Sequence, residues 1–99
     1  MRTLCRVTMD VEAGNKAIKN NTLPETMQSA MHTLKPEASY FFADHGKRTA
    51  YFFFDLKDPS QIPVIAEPFF LNLNAAVEFI PVMNADDLRS GLEQAMRGR

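Results

Sequence analysis

Arg6 and Asp10 lie on one side of an alternating run, with Cys5, Val7, Met9 and Val11 opposed to Arg6, Thr8, Asp10 and Glu12. If that polar side is enclosed, its charges must be paired. One reading is a structural salt bridge from Arg6 to Asp10 or Asp55. The other is a small polar site inside an otherwise apolar chamber. Tyr40 and Tyr51 can donate a proton or a hydrogen bond into such a chamber, although tyrosine is also an ordinary strand residue. Glu67 precedes Pro68, and a helix deformed at that proline would turn the carboxylate toward a cleft. An undeformed helix flank would leave it in solvent. Arg6, Asp10, Tyr40, Tyr51 and Glu67 are therefore the candidate ligand-binding residues.

The two histidines offer less. At about 100° per residue, His32 falls opposite the Leu23 and Leu34 stripe of its helix and faces solvent. His45 adjoins Gly46 in a turn, where polar residues are expected. One histidine on a helix and one in a loop supply no metal cluster, and Asp86 and Asp87 fit the first turn of a helix, where they favour its dipole. No metal and no cofactor is expected. The sequence holds no G-x-S-x-G, phosphate loop, dinucleotide fingerprint or Cys-x-x-Cys. No catalytic set is legible, and whether the protein is an enzyme stays open at this level.

The elements that position these residues follow from periodicity. Thr3 to Glu12 reads as a strand with one apolar face. Thr22-Leu23-Pro24-Glu25 has capping-box spacing and opens a helix to about Lys35, with Leu23, Met27, Ala30, Met31 and Leu34 on one stripe, ended by Pro36. Ala38 to Asp44 and Thr49 to Leu56 form a hairpin across a four-residue loop, His45 to Arg48. Asp58-Pro59-Ser60-Gln61 repeats the capping grammar and starts a helix burying Ile62, Ile65, Ala66, Phe69 and Leu73. Pro68 predicts a kink or an early end near Glu67. Val77 to Met83 is a fourth strand, placed at an edge or bulge by Pro81. A last helix from about Ala85 aligns Leu88, Leu92, Ala95 and Met96.

The order of the first six elements is that of an α+β, ferredoxin-like β-α-β-β-α-β sandwich, with a four-stranded antiparallel sheet, two helices on one face and an extra C-terminal helix. The 99 residues suit one domain, residues 1–83 as its core and 84–99 as the terminal helix and tail. Order is expected throughout, except at Arg97-Gly98-Arg99. The composition, 45% hydrophobic with 23% charged and a net charge of -1, is globular and supplies no positive field for nucleic acid or an acidic membrane. No run approaches the roughly 20 apolar residues of a membrane helix, and the N-terminus enters a strand pattern directly, so a cytoplasmic protein is expected. Cys5 is the sole cysteine, which precludes an internal disulfide and fits a small buried residue.

Helices on one face leave the other face of the sheet open, and that face is expected to be polar in a monomer. Tyr40-Phe41-Phe42, Tyr51-Phe52-Phe53-Phe54 and Val77-Glu78-Phe79-Ile80 place aromatic and aliphatic residues on both faces instead. A patch of that kind marks an interface, and a second copy of the chain is the simplest partner. A monomer would require the last helix to fold back over the open face.

Val11-Glu12-Ala13-Gly14-Asn15-Lys16-Ala17, Leu34-Lys35-Pro36-Glu37-Ala38-Ser39-Tyr40-Phe41, and Asp58-Pro59-Ser60-Gln61-Ile62-Pro63 followed by Ala66-Glu67-Pro68-Phe69-Phe70 resemble an uncharacterised bacterial family of about this length. That family is similar to the dimeric α+β barrel superfamily, which includes antibiotic-biosynthesis-type monooxygenases and muconolactone isomerases. The resemblance implies a homodimer with a ligand cleft between each sheet and its own helices. It carries no catalytic set onto residues of this chain. Lys47 to Phe54 also partly resembles the aromatic third-strand motif of RNA-recognition domains. Arg48 and Thr49 replace that motif's glycine and first aromatic, and no aromatic lies in Leu4 to Met9.

Two functions remain in competition. One is a dimeric protein binding a small hydrophobic or aromatic molecule in an enclosed cavity between sheet and helices, with cofactor-free oxygenase or isomerase chemistry as an extension. The other is a non-catalytic dimeric ligand-binding or regulatory module.

Overall fold

The computed structural model describes residues 1–98. Strand β1 (Arg2–Met9) buries Thr3, Cys5, Val7 and Met9 on one side, as its alternation requires. It ends two residues before the last apolar residue of the alternation, Val11. The Asp10 carboxylate accepts a hydrogen bond from the Ala13 N–H at 3.0 Å and caps helix α1 (Val11–Lys19). An aspartate cap followed by Glu12 in the first turn outweighs two further residues of β pattern. Val11 and Glu12 are thus helical, and α1 is an element the strand pattern concealed.

Helix α1 turns its small residues Gly14 and Ala17 inward. Asn21, at φ 67°, makes the left-handed turn into α2 (Thr22–Leu34), and the Thr22 N–H donates to Asn20 Oδ1 at 3.0 Å. The cap is therefore built from asparagines, with Thr22 already in the helix. Leu23, Met27, Ala30 and Leu34 pack on the core, whereas Met31 stays at the surface.

Strands β2 (Ala38–Asp44) and β3 (Lys47–Asp55) pair with Asp44 opposite Lys47. The loop is therefore two residues, not four. His45 at φ 52° and Gly46 at φ 77° both take the left-handed backbone that a type I′ hairpin turn demands. Before α3 (Gln61–Leu73), Asp58 accepts from the Ser60 N–H at 3.2 Å while Gln61 Oε1 accepts from the Lys57 N–H at 2.9 Å. The capping box expected of Asp58 and Gln61 is not formed: Ser60 stands at the N-cap without a side-chain cap bond, and the helix starts at Gln61, because Asp58 closes the preceding turn instead. Pro68 does not end the helix. It deprives the carbonyl of Val64 of a donor, but Val64 is exposed and water can take its place.

Strand β4 (Ala75–Pro81) completes one antiparallel sheet in the order β2-β3-β1-β4, with Pro81 at the end of an outer strand. Helices α1, α2 and α3 cover one face. Phe52 stacks on Phe69 with ring centroids 6.1 Å apart, and Cys5, Val7, Ala50 and Leu73 close the core around them. Burial pushes the Cys5 thiol up to about 12, so it behaves as a packed apolar group. The sheet-helix layer is filled by these side chains, and the hollows of the structure lie at its margins.

Helix α4 (Ala85–Arg97) opens with a reciprocal cap: Asn84 Oδ1 accepts from the Asp87 N–H at 2.8 Å, and Asp87 Oδ2 from the Asn84 N–H at 3.1 Å. Every one of its residues is exposed. The chain measures 56 × 28 × 18 Å with a radius of gyration of 16.0 Å, against about 13 Å for a rounded chain of this length. The helix projects instead of folding back over the sheet. Arg99, part of the tail expected to lack order, lies outside the described residues.

Candidate functional site

Register decides which polar side chains meet on the open face of the sheet. Arg6 stands directly opposite Tyr51 of β3 and directly opposite Glu78 of β4, so all three share that face. Arg6 Nε and Nη2 each donate to one oxygen of the Glu78 carboxylate at 3.0 Å. Nη1 donates to the Tyr51 hydroxyl at 3.2 Å, and the guanidinium carbon lies 5.8 Å from the Tyr51 ring centroid. The planar fork of arginine matches a carboxylate in this way, and lysine would not. Hydrogen bonding from Arg6 holds Glu78 below the usual carboxylate range, and the same bond, helped by Tyr51, raises Arg6 further. Glu78 is held as an ion and is not free to act as a base.

Aromatic rings surround this pair. Phe42 meets Tyr51 edge-on at 4.9 Å, Tyr51 meets Phe53 at 6.4 Å, and Tyr40 meets Phe53 at 6.5 Å. Leu4 and Ile80, opposite each other across β1 and β4, extend the apolar surface. Tyr40 is 61% exposed and Phe42 42%, so this face ends in rings standing in water. Phe52, Phe54 and Phe79 belong to the other face and to the core.

The sequence-derived candidates therefore separate. Arg6 and Tyr51 touch, and Tyr40 faces Tyr51 across the hairpin. Asp10 is at the far end of β1 as the cap of α1, and Glu67 is exposed on α3. Neither carboxylate pairs with Arg6. Asp55, the alternative partner, bonds Lys57 Nζ at 2.7 Å and the N-terminal ammonium. Glu78 was the missing residue. Its signal was a lone carboxylate inside Val77-Glu78-Phe79-Ile80, which only the β1-β4 register connects to Arg6.

A second feature occupies the margin of the helical face. Helices α1 and α2 pack on β3 and α3 on β4, which leaves the helix side of outer strand β2 uncovered at Phe41 and Ala43. The result is a cleft of about 350 Å³ between α2 and the hairpin, lined by Met9, Leu23, Met27, Phe41, Ala43 and Arg48 among others. It is open on one side, unlike the enclosed cavity the sequence suggested. Its lining is almost wholly apolar, with no carboxylate or imidazole, and Arg48 is its one charged group.

Comparison with family models, curated proteins and solved structures returns no match. A groove of about 320 Å³ between α2 and α3 is more polar, with Thr26, Ser29, Thr33 and Asn72 along it. Asn72 Nδ2 donates to Thr26 Oγ1 across its floor at 3.4 Å. Among the described residues no cluster of His, Cys, Asp or Glu could hold a metal ion, and no helix is long and apolar enough to cross a membrane.

Proposed function

We propose that this protein is a homodimeric, ferredoxin-like binding module that takes a small hydrophobic or aromatic molecule in the cleft between α2 and the β2-β3 hairpin. The strand order β2-β3-β1-β4 with α1, α2 and α3 on one face fits the β-α-β-β-α-β topology of the dimeric α+β barrel proteins that the sequence resembles. Pairing is supported by two apolar surfaces of one chain that both lack a partner, the aromatic sheet face and the Leu88, Leu92 and Met96 stripe of α4. The charges on the sheet face are neutralised within the chain by the Arg6-Glu78 bond, so two identical faces meet without like-charge repulsion.

The observation that carries the binding function is the cleft itself, apolar, of ligand size, and floored by an aromatic ring of an outer strand. Two methionines in its wall give a surface that adapts to flat or branched ligands. The absence of a carboxylate or imidazole from the lining favours the module that binds without turnover over oxygenase or isomerase chemistry.

A titration with 2-naphthamide, followed through the Met9 and Met27 methyl resonances, tests this reading. Saturable binding at one site per chain is expected. Ala43→Trp fills the cleft from an exposed strand position and should abolish it. Methyl resonances that do not respond to the amide would contradict the reading.

A further inference from the structure

We propose that the groove between α2 and α3 is a second binding site, for a neutral polyol of pyranose size. A row of hydroxyls on α2 and the backbone carbonyl that Pro68 sets free on α3 would hold it. Thr22, Thr26, Ser29 and Thr33 follow one another at helical spacing, which aligns their side chains along one flank of α2. All four line the groove. Leu23, Met27, Ala30 and Leu34, each one position further on, form the flank that packs on the core. The hydroxyl row is therefore a separate flank, turned toward α3.

The facing wall is of another kind. Helix α3 presents Val64, Ile65, Pro68 and Phe69. A helix carbonyl points along the axis at the N–H four residues on, between the two side chains concerned. Val64 and Pro68 are such a pair, both line the groove, and Pro68 has no N–H to give. The middle of α3 thus offers the groove a backbone acceptor. Thr26, only 6% exposed, and the Asn72 amide bonded to it make the polar floor between the walls.

The lining selects the ligand. Among the described residues that line the groove there is no Lys, Arg or His, so an anion finds no counter-charge there. Glu25, the one charged group, is exposed and accepts from Asn21 Nδ2 at 3.4 Å. Hydroxyls and a carboxamide both donate and accept, and adjacent hydroxyls of a sugar ring return the same pattern. One ligand O–H takes the Val64 carbonyl in place of water, and the C–H face of the ring lies against the exposed Val64 and Pro68. The volume, about 320 Å³, is that of a small-molecule site.

Methyl glucopyranoside, methyl galactopyranoside, methyl mannopyranoside and inositol, titrated into the full-length protein and followed by NMR, test the proposal. At least one should saturate below about 100 mM, with shifts at Thr26, Ser29 and the Asn72 side-chain amide and none at the Met9 and Met27 methyls of the cleft. Thr26→Val removes one hydroxyl at nearly constant shape and should weaken binding about 3- to 10-fold. Pro68→Val keeps an apolar side chain but returns an N–H to the Val64 carbonyl. It should raise the thermal midpoint and weaken the polyol by a similar factor, an opposition that a proline of structural role alone would not produce. Failure of all four probes, or shifts confined to the cleft methyls, would overturn the proposal. Undiminished affinity in a stabilised Pro68→Val variant would overturn the role of the carbonyl.

Discussion

Arg6 and Glu78, 72 residues apart in the chain, face each other across β1 and β4 through two hydrogen bonds of 3.0 Å each. The pair shares the open face of the sheet with Tyr40, Phe42, Tyr51, Phe53, Leu4 and Ile80. Left in water, an ion pair of this kind contributes little. Enclosed between two sheets, it becomes a pair that must remain intact, because either charge alone would be stranded without solvent.

The pairing of sheets therefore predicts an asymmetry between single and double substitutions. Glu78→Gln leaves Arg6 uncompensated and should raise the dimer dissociation constant by at least about tenfold. Arg6→Met combined with Glu78→Leu removes both charges and should recover most of that loss. Sedimentation velocity over a dilution series reads both. Equal and small effects of single and double variants would place the pair in solvent.

Phe69 is 1% exposed and stacked on Phe52 at the centre of the core. Phe69→Ala should cost about 3–5 kcal/mol, the sum of lost transfer energy and the cavity left behind. Chemical denaturation at fixed protein concentration, with an unchanged slope and a lowered midpoint, is the expected record. By contrast, Phe70→Ala on the exposed flank of the same helix should change the midpoint little.

Asp55 titrates at about 2 instead of near 3.8, chiefly because Lys57 Nζ hydrogen-bonds it, with the N-terminal ammonium adding to the effect. A carboxyl whose pKa is depressed by folding contributes stability that is fully present above about pH 4 and is lost as pH falls through about 2. An NMR titration of the Asp55 side-chain carbon should find the low midpoint. Lys57→Met should move that midpoint upward without altering the sheet register.

Helix α4 makes no buried contact within its own chain, so its apolar stripe can be altered without touching the core. Leu88→Asp with Leu92→Asp should leave the circular dichroism of the folded sheet in place and shift the chain toward the monomer. Retention of the dimer in that variant would take α4 out of the pairing.

Much of the fold was legible because it rests on local rules. The period-two run located β1, β-rich runs located the other three strands, Pro81 placed β4 at an edge, and the Asp58 to Gln61 grammar announced α3 two residues early. The misreadings arose where two local signals competed. Asp10 capped α1 although Val11 continued the strand alternation, and His45-Gly46 made a two-residue turn although Lys47 and Arg48 looked like loop. Pro68 was tolerated within α3, where Val64, the residue whose carbonyl loses its donor, is exposed. Arg6 and Tyr51 were legible as a site, but their partner was not. Glu78 reaches Arg6 only through strand register, which no spacing along the chain encodes.

Sedimentation equilibrium of the natural chain at micromolar concentration tests the pairing of sheet faces most directly. The expected mass is twice the 11.2 kDa of one chain. A single-chain mass that persists up to about 100 µM, well above the range in which specific interfaces associate, would contradict it.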